Sequence, residues 1–506
     1  MKWFKQTVFY EIYIKSFADG NGDGIGDFPG LTERLDYLAE LGIGGIWLTP
    51  FYPSMQVDNG YDVSDYCAVD PLYGTLADFK VFLAEAKKRE IRVVIDMVLN
   101  HTAINHRWFT EHPDYYIWKE RPNNWTSFFG GSAFQFDEKR EQYYYHSFAK
   151  EQADLNWANP AVKEEIKQVL KFWLALGVDG FRFDVINNLT LDLAFPDNPV
   201  DELGEVLHKF DKDQPGIDGV MAELAAFCRD LRPDVFLVGE ISSDELPEIA
   251  RYSRPELLDV TFNFNFGSIE TFTPEKLFQE LVAMEKALPD GQMPTLFFGS
   301  HDMGRSFSRL AGQNLPLAEL LAFIILTARG VPFIYNGEEA GMTDLTFADV
   351  SEMADIQGIM AYEQAVGKGE TKQEALFAAN QKTRDKARGP MIFADGKAFS
   401  ATGKAWLKQN QEPEEKVHAI FAYYQELLAF RKAAAYVTEP YTSLQLKEAC
   451  LTYQRGNYYF VANFSERWQM TAPPNGRLVF GQEEQGGIAP LSGAIYLMEE
   501  ENENCK

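Results

Sequence analysis

Carboxylic acids stand at the ends of several short apolar runs in this 506-residue sequence. Asp184 and Glu240 each end such a run, and Asp302 follows another one after a few residues. When carboxylates face one pocket, one of them can protonate a leaving oxygen while another attacks carbon or activates water. Glycoside hydrolysis divides the work in this way. The three acids therefore predict cleavage of a glycosidic bond, provided that the fold brings them together.

Cationic and imidazole groups accompany these acids. Arg182 lies two residues before Asp184, so both side chains point to the same side of a strand. Because a nearby guanidinium favours the ionised form of a carboxyl group, we expect Arg182 to keep Asp184 charged, as a nucleophile requires. His101 and His301 follow two further runs and offer an alternative, since they could be recruited to a metal site.

A second group of polar residues fills the loop after the first apolar run. Oxygen-bearing side chains occur at Asp19, Asn21, Asp23 and Asp27, with glycines between them. This spacing suits a hard cation such as Ca²⁺, although the bidentate Glu of an EF-hand is missing. A flexible Asp/Gly turn without a metal is the alternative reading of the same loop.

The elements that must position these residues are short strands alternating with amphipathic helices, the pattern of a parallel sheet. Eight strands with crossover helices predict a closed TIM (β/α)₈ barrel, whose functional residues lie at the carboxyl ends of the strands. The predicted strands are Val8–Tyr13, Gly45–Leu48, Arg92–Asp96, Gly180–Asp184, Phe236–Glu240, Leu258–Phe262, Thr295–Phe298 and Phe333–Tyr335. The predicted helices include Leu31–Leu41, Leu76–Arg89, Ala161–Leu176 and Leu317–Ala328.

Two segments depart from this alternation. Residues 101–160 are rich in Trp, Tyr, Asn and Gly and show little helical periodicity, which predicts a small inserted domain after the third strand. After a helix predicted at Glu414–Ala433, residues 435–506 change to short alternating runs, which predict a C-terminal antiparallel β-sandwich domain. Residues 1–100 and 161–434 are left to form the two parts of the barrel.

The composition narrows the class of ligand. The formal charge of −28 at pH 7 argues against nucleic acid or an anionic membrane surface as partner and favours a small neutral ligand. No run approaches the roughly 18 apolar residues of a membrane span, and we expect no secretion signal at the N-terminus. Four scattered cysteines predict free thiols and a cytoplasmic location, although two disulfides are also possible: Cys67, Cys228, Cys450 and Cys505.

Four blocks of the sequence carry a resemblance to a known family. They read DMVLNHT at residues 96–102, GFRFDV at 180–185, VGE at 238–240 and HD at 301–302. In this order and spacing they resemble the α-amylase superfamily, glycoside hydrolase family 13, over essentially the full chain. The blocks QADLNWANP at 152–160 and TRDKARGPM at 383–391 are more narrowly similar to the branch of oligo-1,6-glucosidases and trehalose-6-phosphate hydrolases.

The resemblance implies a retaining mechanism at an α-glucosidic bond. Asp184 would be the nucleophile, Glu240 the general acid and base, and Asp302 the residue that holds the sugar 2- and 3-hydroxyls. Further residues implied at the glucose subsite are Tyr61 as a stacking platform, Asp62 paired with Arg305 at its closed end, and His101, Arg182 and His301 along its walls. A closed end favours removal of one non-reducing glucose. The loop match implies a structural Ca²⁺ held by Asp19, Asn21, Asp23, the carbonyl of Ile25, and Asp27.

The bond preference rests on few residues. Val185 resembles the α-1,6-acting members, whereas members that prefer α-1,4 bonds tend to have Thr at that position. Thr261–Ile269 holds no lysine, where the resemblance to trehalose-6-phosphate hydrolases would place one for the phosphate. The leaving-group side is expected around Val185, Phe264 and Arg388, with Ser300 in place of the usual asparagine.

The leading hypothesis is therefore an exo-acting α-glucosidase for short, α-1,6-linked oligosaccharides. The enzyme alternatives are a trehalose-6-phosphate hydrolase and an α-1,4-acting glucosidase or transglucosidase. Isomerisation is not expected, because the run Arg309–Gly312 lacks the charged pattern of sucrose isomerases. A catalytically inactive carbohydrate-binding relative is the alternative outside the enzymes, and it should lack at least one of the three acids.

Overall fold

The computed structural model of the chain describes residues 2–243, 245–288, 291–469, 473, 475–484 and 487–499. Eight parallel strands form its central sheet, and every strand end lies within two residues of the predicted end. The strands are Phe9–Ile12, Gly45–Leu48, Arg92–Val98, Gly180–Asp184, Phe236–Gly239, Val260–Thr261, Thr295–Leu296 and Val331–Tyr335. The strands are almost wholly buried, as expected for a parallel sheet that is covered by helices. The predicted barrel is confirmed.

The strands follow one another around the barrel in chain order, with the eighth strand beside the first. The sixth and seventh strands are short, and a side chain joins them. The hydroxyl of Thr295 donates to the carbonyl of Thr261 at 3.0 Å and accepts from the N–H of Asn263 at 3.1 Å. Aromatic side chains fill the interior, where Phe9 stacks against both Phe236 and Phe333. The barrel is therefore a packed core whose polar residues are confined to the strand ends.

Helices surround the barrel and occupy the predicted intervals. The predicted helix Leu31–Leu41 is broken at Arg34, whose φ of −99° and ψ of 2° leave the helical region. The guanidinium of Arg34 packs on Phe393 and pairs with Asp395 at 3.1 Å. The helices run Ile14–Phe17, Phe28–Glu33, Leu35–Leu41, Leu76–Lys88, Arg107–Glu111, Pro160–Leu176, Ile217–Leu231, Leu246–Tyr252, Phe264–Gly267, Pro274–Ala287, Ser306–Arg309, Leu315–Thr327, Ile356–Gly367, Lys372–Lys382 and Glu414–Ala433.

The segment after the third strand forms small antiparallel sheets of its own. Its strands are His101–Ala103, Trp118–Lys119, Phe134–Asp137, Gln142–Tyr145 and Gln152–Asp154. The first and last of these pair with each other, so that His101 lies opposite Asp154. This pairing returns the chain to the barrel next to the place where it left, and it holds His101 and Gln152 at the barrel rim.

The C-terminal part is antiparallel, as predicted. Five strands make one sheet, and a two-stranded ribbon lies beside it: Tyr441–Lys447, Cys450–Arg455, Tyr458–Asn463, Gly476–Phe480 and Ser492–Met498 in the sheet, and Glu483–Glu484 with Gly487–Ile488 in the ribbon. Cys67 and Cys228 are free thiols, and Cys505 lies outside the described residues. Within the described ranges, every helix is too short or too polar to cross a membrane.

Candidate active site

The fourth and fifth strands are neighbours and bring two acids to one arginine. Asp184 ends the fourth strand, and Glu240 follows the last residue of the fifth. The guanidinium of Arg182 donates from Nη1 to Asp184 and from Nη2 to Glu240 Oε2 at 2.5 Å. All three side chains are nearly buried, with Glu240 the most exposed at 12%. One guanidinium therefore spans both carboxylates and keeps them close together.

A third acid shares the same cation. Asp96, on the third strand, accepts from Arg182 Nη1 at 2.9 Å and is completely buried. Burial raises the pKa of Asp184 well above its ordinary range; Arg182 lowers it, while Glu240 and Asp96 raise it further. Arg182 therefore favours the ionised form of Asp184, as expected, but burial and the two further carboxylates that share its charge outweigh it.

His301 is held in place by an acid that sequence reasoning passed over. Glu11, on the first strand, accepts from the backbone N–H of His301 at 3.1 Å and bonds to its ring Nδ1 at 2.6 Å. The ring Nε2 lies 2.6 Å from the hydroxyl of Tyr61, and the two rings stack with their centres 5.4 Å apart. The sequence feature that could have identified Glu11 as a site residue is its position, as a single carboxylate near the carboxyl end of an otherwise apolar strand.

Asp302 is the most accessible of the three predicted catalytic acids, with a side chain that is 33% exposed. Its carboxylate meets Arg388 at 2.8 Å, His301 at 3.2 Å and Arg384 at 3.5 Å. Burial opposes the charge of Asp302, but His301, Arg384 and Arg388 outweigh it and hold the pKa of Asp302 below its usual range. Asp302 is therefore a fixed anion that can accept hydrogen bonds from a ligand. Arg388 belongs to this side of the pocket, not to the leaving-group side where it was expected.

The pair expected at the closed end, Asp62 with Arg305, is not formed. Asp62 is fully buried and accepts from the backbone N–H groups of Val57 at 3.2 Å and Asp58 at 3.0 Å, so it shapes its own loop. Arg305 donates to the carbonyl of Asn336 at 2.8 Å and makes no ion pair with any described acid. Both residues contribute to the frame around the pocket and do not face each other.

A different ion pair occupies this position. Arg384 contacts Asp58 at 2.6 Å and Asp355 at 2.5 Å, and its guanidinium lies over the ring of Phe129 from the inserted domain. The amide of Gln152 donates to Asp58 at 3.1 Å. Asp58 follows the second strand, whereas Arg384 and Asp355 follow the eighth. This network joins the inserted domain to two distant parts of the barrel rim.

His101 is buried among neutral groups. Gln152 Nε2 lies 3.0 Å and the carbonyl of Tyr61 3.2 Å from its Nε2, and the ring of Phe148 packs beside it. Burial lowers the pKa of His101 to about 3. His101 is therefore neutral at physiological pH and can only act as a neutral hydrogen-bonding group.

This burial predicts a pH-dependent stability. The unfolded chain protonates His101 below pH 6.5 while the folded protein does not, so its contribution to stability is complete above pH 6.5 and is lost as pH falls toward 3. Between pH 7 and pH 5 this loss amounts to about 2 kcal/mol. In urea unfolding at both pH values, we expect His101→Gln to lose about 2 kcal/mol less than the wild type. His418→Gln, at an exposed position, should lose as much as the wild type; an equal loss for His101→Gln would contradict the prediction.

Aromatic side chains form much of the pocket lining. Trp47, Phe262, Phe264, Phe297 and Phe333 line the pocket beside Glu240 and Asp302. Val185, directly after Asp184, adopts φ 36° and ψ 49°, a left-handed conformation that is costly for a β-branched residue. Arg309 donates from Nη1 to the carbonyl of Ile269 and from Nη2 to the carbonyls of Gly267 and Phe298, so its charge is engaged by the protein itself.

An eight-stranded parallel barrel with buried carboxylates at its strand ends can carry out glycoside hydrolysis. The sequence-family model of the α-amylase catalytic domain matches residues 11–439 of the chain. The chain therefore belongs to the α-amylase family, as the four sequence blocks indicated. Its membership also confirms the enzyme class.

Individual relatives agree with this assignment. Trehalose-6-phosphate hydrolase of Escherichia coli (strain K12) is 38% identical over 478 residues, which cover 86% of this chain and 85% of that protein. Oligo-1,6-glucosidase of Bacillus cereus is 36% identical over 470 residues, which cover 85% and 84%. The crystal structure of trehalulose synthase from Pseudomonas mesoacidophila MX-45 superposes with a TM-score of 0.90 at 32% identity, covering 99% of this chain and 100% of that one.

Proposed function

We propose that the protein is a retaining, exo-acting α-glucosidase that removes the non-reducing terminal glucose of short oligosaccharides, with a preference for α-1,6 bonds. The observation that carries the proposal is the contact of one guanidinium, Arg182, with both Asp184 and Glu240. Retaining glycosidases place their two carboxyl groups about 5 Å apart, closer than inverting enzymes do. Asp184 would attack the anomeric carbon, and Glu240 would protonate the leaving oxygen and then activate water.

The exo mode is supported by the network around Arg384. The ion pairs of Arg384 with Asp58 and Asp355 tie the two sides of the rim together beside Asp302. A sugar held by Asp302 would therefore meet charged groups and the ring of Phe129 at its non-reducing end. Such a wall would block a chain that continues beyond the terminal residue.

The α-1,6 preference is supported by Val185 and by the names of the relatives, which include oligo-1,6-glucosidases and glucan 1,6-α-glucosidases. A second candidate is trehalose-6-phosphate hydrolysis, favoured by the 38% identity to an enzyme of that name. This candidate needs a cation for the phosphate of the leaving sugar. The ammonium group of Lys212 is one such cation, and it donates to the carbonyl of Ser242 at 3.0 Å. Against this candidate, the segment 261–269 offers no lysine and Arg309 is occupied by carbonyl groups.

A substrate panel tests the proposal: isomaltose, maltose, trehalose, trehalose-6-phosphate and sucrose. We expect the highest kcat/KM with isomaltose. From α-glucosyl fluoride, whose leaving group is not a sugar, we expect release of α-glucose as the first product, seen by NMR before mutarotation. A higher kcat/KM with trehalose-6-phosphate would select the second candidate, and release of β-glucose would reject the retaining mechanism. Transfer products at high substrate concentration would indicate the transglucosidase alternative.

We also propose a structural Ca²⁺ site in the loop 19–27. Gly22 and Gly24 adopt positive φ of 83° and 99°, so the loop folds back on itself as the spacing predicted. The carboxylate of Asp19 accepts from the N–H groups of these two glycines at 2.6 and 2.8 Å. No three acidic, His or Cys side chains lie close enough for a metal among the described residues. A site would therefore need the neutral oxygens of Asn21 and Ile25 as well as Asp19, Asp23 and Asp27.

Removal of the metal should lower the melting temperature. A bound ion stabilises the folded state in proportion to the logarithm of its concentration over Kd, about 2.7 kcal/mol at a hundredfold excess. We expect EDTA to lower the Tm and added Ca²⁺ to restore it. In Asp23→Ala, the Tm should no longer respond to Ca²⁺. A wild-type Tm that is the same in EDTA and in millimolar Ca²⁺ would refute the site.

A further inference from the structure

The segment that follows Asp184 is joined to the segment of Glu240 at three successive residues. The backbone N–H of Val185 lies 3.4 Å from Glu240 Oε2, and the N–H of Ile186 donates to the carbonyl of Glu240 at 3.1 Å. Asn187 then reaches Ser242, two residues beyond the acid. The two segments thus continue side by side after the fourth and fifth strands have ended.

The side chain of Asn187 both accepts a hydrogen bond from the backbone of Ser242 and donates one to it. Its Oδ1 accepts from the N–H of Ser242 at 3.1 Å, and its Nδ2 lies 3.3 Å from the carbonyl of the same residue. The side-chain amide therefore replaces a paired peptide group, although Ser242 belongs to no strand. Nδ2 is also 3.4 Å from Asp213, whose N–H donates to the carbonyl of Asn187 at 2.8 Å. Asn187 itself is completely buried.

The packing leaves this arrangement little freedom. Gly239 precedes Glu240, and a Cβ at Gly239 would lie 3.0 Å from Cδ1 of Ile186 and 2.4 Å from Leu258. Ile186 therefore presses directly on the backbone that carries the acid. Val185 is held in a left-handed conformation between the nucleophile and these anchors. Such strain persists only where the surroundings fix the chain, and Ile186 and Asn187 supply that fixation.

We propose that Asn187 is a positioning residue that fixes the carboxyl group of Glu240 at the height of the glycosidic oxygen. The inference rests on the proposed function, in which Glu240 is the proton donor. In that step Asp184 forms a bond to the anomeric carbon while the bond to the leaving oxygen breaks. The proton of Glu240 passes to that oxygen, so the sugar alcohol leaves neutral and Glu240 becomes a carboxylate. Asn187 touches none of the reacting atoms; it acts through Ser242 and the backbone of Glu240.

This role predicts a defect that depends on the leaving group. A disaccharide needs protonation of its leaving oxygen, whereas fluoride leaves α-glucosyl fluoride with little help. General acid catalysis contributes about 10²–10⁴-fold to a rate. For Asn187→Leu, which keeps the shape but removes both hydrogen bonds to Ser242, we expect kcat/KM on isomaltose to fall by about 100-fold. On α-glucosyl fluoride kcat/KM, which reports formation of the glucosyl enzyme and not the later activation of water by Glu240, should stay within a few-fold of the wild type.

Two controls make the outcome specific. Asn188→Leu changes the adjacent residue, which is equally buried but whose Oδ1 has no hydrogen-bond partner, and it should leave both rates near the wild type. Glu240→Gln should show the same dependence on the leaving group as Asn187→Leu. If Glu240→Gln does so and Asn187→Leu does not, the positioning role is wrong while the proposed function stands.

Full activity of Glu240→Gln on isomaltose would instead refute the proposed function. An equal loss by Asn187→Leu on both substrates would also overturn the inference, because it would indicate general damage to the pocket. If Asn187→Leu does not fold, Asn187→Ala serves in its place, with the same ratio of rates expected. Circular dichroism and the melting temperature establish that each variant is folded before the rates are compared.

Discussion

Asp184→Asn should abolish the activity without weakening the fold. Loss of a covalent nucleophile removes a group that no other residue replaces, so kcat on isomaltose should fall by about 10⁴-fold or more. Stability should not fall, because Asp184, Asp96 and Glu240 share the single charge of Arg182. Neutralising one buried carboxylate relieves part of that excess, and functional sites commonly sacrifice stability in this way. We expect a Tm equal to or above that of the wild type.

Azide provides a sharper readout than the loss of activity. In Asp184→Gly, which clears the space of the carboxylate, azide can attack the anomeric carbon of α-glucosyl fluoride from the same face and expel fluoride, which yields β-glucosyl azide. Asp36→Asn is the control, since Asp36 is 72% exposed and pairs with Arg89 on the surface; its kcat should equal that of the wild type. Retention of more than a few per cent activity by Asp184→Asn, or formation of the α-azide, would reject Asp184 as the nucleophile.

The parts of this site that the sequence predicted are those with a local signature. Asp184 and Glu240 each end an apolar run, and the barrel rule places such ends on one rim, so their convergence followed from the strands alone. Arg182 was assigned to the same side as Asp184 by strand alternation, and it does contact Asp184. Its effect on the charge of Asp184 was misjudged, because two further acids on neighbouring strands claim the same guanidinium.

The parts that escaped prediction depend on contacts between distant segments. Glu11 bonds to a histidine 290 residues away, and Asp58 to an arginine 326 residues away, so neither pairing leaves a local pattern. Asp58 and Asp62 flank the same turn, and either could have faced the pocket. The turn decides between them: Asn59 and Gly60 adopt positive φ of 48° and 105°, and Asp62 ends beneath its own loop.

Replacement of Arg384 should have the second large effect, on both stability and substrate binding. Both of its main partners are buried acids, and removing one side of a buried ion pair costs about 3–5 kcal/mol. Arg384→Met should therefore lower the free energy of unfolding by roughly this amount. It should also raise KM for isomaltose and lower kcat/KM by more than 100-fold, about 2.7 kcal/mol, because Asp58 and Asp302 lose a neighbour that fixes the terminal glucose. Urea unfolding and steady-state kinetics measure the two effects separately.

Arg305→Met is the matched comparison, because Arg305 is equally buried and is the residue that the family resemblance placed at the closed end. Its guanidinium bonds to a backbone carbonyl and pairs with no described acid, so the substitution should cost stability while leaving KM for isomaltose near the wild-type value. Arg384→Lys should recover part of the stability but little of the affinity, since an ammonium cannot span Asp58 and Asp355 as a planar guanidinium does. The reverse order, with KM raised by Arg305→Met and unchanged by Arg384→Met, would return the closed end to Asp62 and Arg305. In that case the buried position of Asp62 would have to change when the sugar binds.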